Sequence, residues 1–234
     1  MTGAAPLWDV RLVAETGSTN SDIMDAAASG AAHGRVLVTD HQTAGRGRLD
    51  RRWDAPPGAN LLVSVLFREG FDRTVPHQLT QRVALAAVAT SVELAGVRPE
   101  LKWPNDLLLD GRKLAGILAQ AGDVTSDGVG FVVVGMGLNL GWAPEGAARL
   151  DGVGRDDFLA SWLAHLARRW AEPVHGPYRE ALATIGRRVR VQQADGELVG
   201  DAIDVTAAGE LVVDVDGQRV VVAVGDVVHL RLAD

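Results

Sequence analysis

At 234 residues, with 47% apolar and 23% charged positions, the chain can build one large domain, or a large one and a small one, around a core that needs no staples. It has no cysteine, which excludes disulfides, thiolate metal sites and a cysteine nucleophile. A net charge of −7 argues against a general nucleic-acid binder, since phosphate contacts need clustered Lys and Arg. No apolar run approaches the roughly 20 residues of a membrane span. Met1–Asp9 lacks the basic segment and apolar core of a signal peptide, so a cytoplasmic protein with no membrane or nucleic-acid partner is expected.

Val10–Ala14 alternates weakly and predicts a first strand. Ser18, Thr19 and Asn20 are N-cap types, so the alanine-rich Ser21–Ser29 predicts a helix, closed by Gly30 and Gly34. Arg35–His41 reads as a short β-branched strand, and the Gly- and Pro-interrupted stretch Gln42–Pro57 as a loop. Asn60–Phe67 predicts an apolar strand, and Leu79–Ala95 a helix ended by Gly96. Glu100–Trp103 is expected to be extended, because Pro104 pushes Trp103 out of the α region. Leu107–Leu109 and Lys113–Gln120 flank Asp110-Gly111, a hairpin signal. Gly130–Gly137 reads as a strand central in a sheet, and Asp156–Trp170 and Val174–Ile185 as helices. From Arg188 the pattern changes to short strands, Val189–Gln193, Gly196–Val205, Gly209–Asp214, Gln218–Val222 and Val227–Leu232, with turns at Asp195-Gly196 and Asp216-Gly217. That predicts a small β barrel or sandwich and a boundary near Gly186, giving domains 1–186 and 187–234.

Three stretches carry chemistry. Gln42 to Arg48, followed by Arg51, Arg52 and Trp53, sets four arginines among glycines. Glycine lets backbone approach a ligand, and guanidinium forks match phosphate or carboxylate. A small anionic ligand suits such a loop on an acidic chain better than a long polyanion, and the loop should be mobile until the anion neutralises it. Lys102 to Asp106 and Gly111 to Gly116 place two lysines and Asn105-Asp106 on one hairpin. A lysine there can stabilise charge developing at an acyl phosphate, and Asp106 can hold a metal or accept an amine's proton. Gly135-Met136-Gly137-Leu138-Asn139 fails as a dinucleotide fingerprint, because Gly141 comes one position late and Trp142-Ala143-Pro144 opens no helix. A buried strand whose glycines bare the backbone to a ligand fits it better. The six histidines show no metal-ligand spacing.

Together these motifs resemble the catalytic domain of biotin protein ligases: Ser18-Thr19-Asn20, Gly45-Arg46-Gly47-Arg48, Lys102 to Asp106, Lys113 to Ile117 and Gly135 to Asn139, with a C-terminal Gly225 to Arg231. The resemblance spans about the whole chain. It implies an α+β fold, a mixed and largely antiparallel sheet with helices packed on it, as in class II synthetases, plus a small SH3-like barrel. It implies ATP-dependent activation of biotin to biotinyl-5′-AMP, with Mg²⁺, and transfer to a lysine of a biotin carboxyl carrier domain of a carboxylase.

Residue by residue, the resemblance gives Ser18, Thr19 and Asn20 to the ureido ring, with Gln42, Gly45 and Arg46 beside them. It gives Gly116, Leu118, Gly135 and Gly137 to the valeryl chain. Trp53 would stand in the same pocket, beside the nucleotide part. Arg46, Arg48 and Lys113 would act in catalysis with Asp106. Arg48, Arg51, Asn105, Asn139 and Trp142 would serve the nucleotide, and no metal ligand is assigned. Relatives often carry a glycine where this chain has Leu49-Asp50, so a stiffer and partly neutralised loop is expected. Only residues 1–9 precede the first predicted strand, too few for the winged-helix domain of some relatives, so a short form without a repressor role is expected, as a monomer or weak homodimer. The competing readings are a lipoate ligase, a ligand-binding regulator without turnover and, least, an oxidoreductase.

Overall fold

The structure is a computed structural model that describes residues 8–230, apart from 50, 194–195 and 224. Among the described residues the larger sheet has the order β1-β2-β3-β7-β6-β5-β4. Its strands are β1 (Asp9–Thr16), β2 (Arg35–Gln42), β3 (Leu61–Phe67), β4 (Glu100–Lys102), β5 (Asp106–Leu109), β6 (Arg112–Thr125) and β7 (Gly128–Leu138). Only the β1–β2 pair is parallel; the others are antiparallel. The apolar strand β7 lies in the middle, as its uninterrupted hydrophobic run predicts, and β3 beside it is buried along its whole length.

Alternation divides the sheet into two working faces. Val63, Val65, Val132, Val134, Met136 and Ile117 join the main core with helix α2 (Gln78–Ala95) and helix α3 (Arg155–Arg168). On the opposite face helix α1 (Thr19–Ala28) packs Ile23 and Ala27 on Leu66 and Val133. That helix covers only part of its face, which leaves room for a pocket beyond its N-terminus. Helix α2 ends as expected at Gly96, in a left-handed conformation that glycine adopts without strain. The β5–β6 turn carries Asp110 and Gly111, both at positive φ, as the Asp-Gly signal predicts.

The remaining strands, β8 (Arg188–Gln193), β9 (Gly196–Val205), β10 (Leu211–Val215), β11 (Gln218–Val222) and β12 (Asp226–His229), form a second antiparallel sheet, β11-β10-β9-β8-β12. Its outer strands β11 and β12 do not pair among the described residues, so the expected barrel is an open five-stranded sheet there. Asp216 and Gly217 form the β10–β11 turn at positive φ, whereas Asp195, Arg231 and Leu232 lie outside the described residues. The expected helix Val174–Ile185 is also corrected. Helix α4 spans only His175–Ala181, because Leu182 leaves it to bridge Leu101 in parallel and the Ala183 N–H donates to the Leu101 carbonyl.

Candidate active site

Strand register builds the pocket floor. Ser64, Gly135 and Leu118 lie side by side across β3, β7 and β6, and Leu62, Gly137, Gly116 and Asp106 form the next row of that face. Glycine at three of these positions leaves a trough, and what enters it is instructive. A side chain on Gly135 would collide with the Asn20 amide, and one on Gly137 with the Trp53 indole. At Gly116 it would come within 3.1 Å of that indole and 3.3 Å of Lys113 Nζ.

The N-cap types at the start of α1 do something other than capping. Ser18 is the N-cap residue but makes no side-chain capping bond, and it lines the pocket. Thr19 and Asn20 lie inside the first turn and are buried against the sheet. The Thr19 backbone N–H donates to Gln42 Oε1 at 2.8 Å, and its hydroxyl to the same oxygen at 3.0 Å. Asn20 Nδ2 donates to the Leu118 carbonyl and to Gln120 Oε1, and Asn20 Oδ1 lies 2.6 Å from the Ser64 hydroxyl. This end is neutral and almost completely hydrogen-bonded, which holds its polar groups in fixed directions.

The other end is cationic. Arg46, Arg48, Arg51 and Arg52 all line the pocket, as do Asn105, Asp106 and Lys113. Lys113 Nζ pairs with Asp106 Oδ1 at 2.8 Å and lies 5.6 Å from the Trp53 ring centre. The arginine loop folds back on itself through an Arg46–Arg52 bridge and reaches the second sheet. Arg48 Nη2 donates to the Gly225 carbonyl at 3.0 Å, and Arg51 pairs with Asp226. Burial lowers the Arg48 pKa, opposed by the carboxylates of Asp226 and Asp106, while Arg51 adds to the lowering. A half-desolvated guanidinium in this position favours any anion that arrives beside it.

The sequence matches the Biotin/lipoate A/B protein ligase family over residues 16–139 and the Biotin protein ligase C terminal domain over residues 184–230. It is 42% identical over 256 aligned positions to the biotin–acetyl-CoA-carboxylase ligase of Mycobacterium tuberculosis, covering 99% of this chain and 93% of the relative. The chain belongs to the biotin protein ligase family. A second ligase of the same name, from Paracoccus denitrificans, is 29% identical over 240 positions, with 92% and 98% of the two chains covered. The fold is that of the biotin protein ligase of Aquifex aeolicus solved with biotin and ATP: TM-score 0.80 at 21% identity, over 95% of this chain and 99% of that one.

In this ligase fold the residues expected at the site divide into those that meet and those that do not. Ser18, Thr19, Asn20, Gln42, Arg46, Arg48, Arg51, Trp53, Asn105, Asp106, Lys113, Gly116, Leu118, Gly135 and Gly137 share one pocket of about 770 Å³. Gly45 stands behind the lining, where a side chain would strike the Trp53 carbonyl. Asn139 does not join them. It is buried outside the pocket lining, its Nδ2 donates to the Ala148 carbonyl at 2.9 Å, and its Oδ1 accepts from Asn60. Trp142 is likewise outside the lining; its backbone N–H donates to Asn60 Oδ1. Ser64 and Asp226 were missed by sequence reasoning. Ser64 sits mid-strand in an apolar run, where a lone polar residue facing the α1 end was the available signal. Asp226 opens the Gly225 to Arg231 motif, which looked empty of chemistry until the chain brought it to Arg51.

Leu49 shows what the departure from glycine does. It sits at φ 53, in the left-handed region that disfavours a branched side chain by about 1–2 kcal/mol. The expected neutralisation by Asp50 falls on a residue outside those described.

Proposed function

We propose that the protein activates biotin with ATP to biotinyl-5′-AMP and transfers the biotinyl group to a lysine of a biotin carboxyl carrier domain. The observation that carries this reading is one cavity with two chemically opposite ends: neutral amides and hydroxyls by α1, and Lys113 with three or more arginines at the other end. The neutral end suits a ureido ring, which needs donors and acceptors and no charge. The glycine trough suits an alkyl chain. The cationic end suits a carboxylate meeting a phosphate.

In the first step a carboxylate oxygen of biotin attacks the α-phosphorus of ATP. The new O–P bond forms as the bond to pyrophosphate breaks, and pyrophosphate leaves with the electron pair. Negative charge gathers at phosphorus, where Lys113, Arg46 and Arg48 would stabilise it. In the second step the acceptor's neutral amine attacks the acyl carbon, the C–N bond forms, and AMP leaves with the electrons of the C–O bond. Asp106, held beside Lys113, is placed to take the proton the amine loses. Arginine-loop closure over the pocket would keep water from the mixed anhydride.

Among the described residues no group of three or more His, Cys, Asp or Glu side chains could hold a metal. The carboxylates near the pocket, Asp106 and Asp226, are already paired with cations. Mg²⁺ therefore fits as an ion held mainly by the nucleotide's phosphates and water, where it would neutralise charge on the departing pyrophosphate. ATP as substrate and a cysteine-free chain suit a cytoplasmic enzyme. No described helix is long and apolar enough to cross a membrane.

The test is ATP–pyrophosphate exchange. It is expected to require biotin and to be silent with lipoate, which has no ureido ring for Thr19, Asn20 and Ser64 to orient. Exchange driven by lipoate alone would overturn the biotin assignment in favour of the other branch of the family.

A further inference from the structure

A second cavity, of about 910 Å³, opens between helix α2 and the C-terminal sheet. It shares Arg48, Asn105, Ile117 and Leu118 with the pocket already described, so the two meet beside the reacting end of that pocket. Its far part is lined by His77, Thr80 and Gln81 of the α2 end and by Gly209, Glu210 and Ala223 of the second sheet's loops.

That far part carries acceptors without partners. Gln81 is 3% exposed, and its Oε1 makes no hydrogen bond among the described residues; neither does the buried His77 Nε2. Unsatisfied buried acceptors are rare in folded proteins and call for a partner such as an ordered water, an ion or a ligand group. Gly209 makes room for these two side chains. It holds φ +87, and a side chain there would strike the Gln81 amide and come within 2.7 Å of the His77 ring. Its carbonyl is fixed by the Trp103 indole N–H at 2.9 Å. Burial lowers the His77 pKa, opposed by Glu210, so the ring is neutral at pH 7 and one nitrogen can accept. The charge pattern runs from acceptors and Glu210 at the far part to Arg48 at the shared wall, with Lys113 beyond it.

We propose that this second cavity admits the side chain of the acceptor lysine, and that Gln81 Oε1 and His77 Nε2 receive its ammonium before the amine advances past Asn105 to the acyl carbon. The pattern orders the approach. An ammonium is attracted to the far part and repelled by Arg48 and Lys113, so it gives one proton to solvent water in the cavity before it advances, and the group that reaches the acyl carbon is the neutral amine, the form able to attack. Gln81 and His77 are binding residues for the acceptor with no part in forming the adenylate.

The proposal rests on the biotin-ligase reading, and measuring the two half-reactions separately distinguishes the failure of one from that of the other. Biotinyl-adenylate formation from biotin and ATP is measured first; its absence in the unaltered protein sinks the parent reading and this proposal with it. Transfer from preformed biotinyl-adenylate is then measured to Nα-acetyl-lysine methylamide and to a biotin-free carboxyl carrier domain, in Gln81→Leu and in Ala223→Phe, which fills the cavity from an exposed position. Adenylate formation should stay within about twofold, while transfer to both acceptors falls about tenfold or more, as loss of a hydrogen bond to a charged group implies. Gln81→Leu should also leave the melting temperature unchanged or higher, since the amide oxygen it removes has no partner. Unchanged transfer in both variants would mean that the cavity holds ordered water only. A parallel fall in adenylate formation and transfer would mean that these residues serve the shared pocket, and either result overturns the proposal.

Discussion

The α1 end of the pocket and the arginine loop face the same cavity but are held in different ways. At the α1 end, Thr19, Asn20, Ser64 and Gln42 bond one another across three elements, helix α1 and strands β2 and β3, and are mostly buried. The loop is tied at its ends by the Thr43 and Ala44 N–H groups, which donate to the Thr16 and Gly17 carbonyls, by bonds within itself and by contacts to the second sheet, with Arg46, Arg51 and Arg52 exposed. A neutral ring is recognised by direction, so its partners must be fixed in advance. A phosphate is recognised by charge, which acts at a distance and tolerates motion. The two ends therefore suit a rigid recognition surface and a pliant electrostatic one.

The largest expected effect lies where the ends meet. Lys113→Ala should slow single-turnover adenylate formation by about 10²–10³-fold, the scale of losing one preorganised charge partner, with the fold intact by circular dichroism. A normal rate would remove the lysine from the chemistry. Next comes the rigid end. Ser64→Ala strips a hydroxyl that lies 2.6 Å from Asn20 Oδ1 and 2.8 Å from Thr19 Oγ1. It should weaken biotin binding about tenfold and destabilise the fold by about 1–3 kcal/mol, read by calorimetric titration and thermal melting. ATP affinity should hardly change.

The pliant end should respond to milder handling. Raising salt from about 50 to 500 mM should weaken ATP binding and leave biotin binding unaltered, since only the first relies on exposed charge. Equal sensitivity of both ligands would erase the contrast. Asp226→Asn frees Arg51 from an exposed pair, and such pairs contribute about 0–1 kcal/mol, so the KM for ATP should move by less than about fivefold. Smallest of all, Leu49→Gly removes the left-handed strain but loosens the loop. Stability should shift by about 1 kcal/mol or less while biotin affinity stays the same.

Local signals were the ones the sequence made legible. The Gly96 stop of α2, the Asp110-Gly111 turn and the apolar run of β7 each act within a few residues, and each element formed where expected. Most of the residues singled out for the site line one pocket, because its glycines, arginines and lysine lie in local motifs that strand register and the loop bring together. The differences depend on distant partners. Asn139 has the right chemistry for a ligand, yet Asn60 and the Ala148 carbonyl occupy its amide. Leu182 ends helix α4 because it meets Leu101, some eighty positions earlier in the chain. That β11 and β12 do not pair among the described residues is likewise a long-range outcome, which no short pattern encodes.

Trp53 lies across the bare backbone of Gly116 and Gly137, and its buried indole N–H has no partner among the described residues. Whatever occupies the trough must press on this ring or push it aside, and either changes its surroundings. The protein thus carries its own optical gauge: ultraviolet emission should change in intensity and colour as the cavity fills, and Trp53→Phe should silence that response while the other tryptophans still glow.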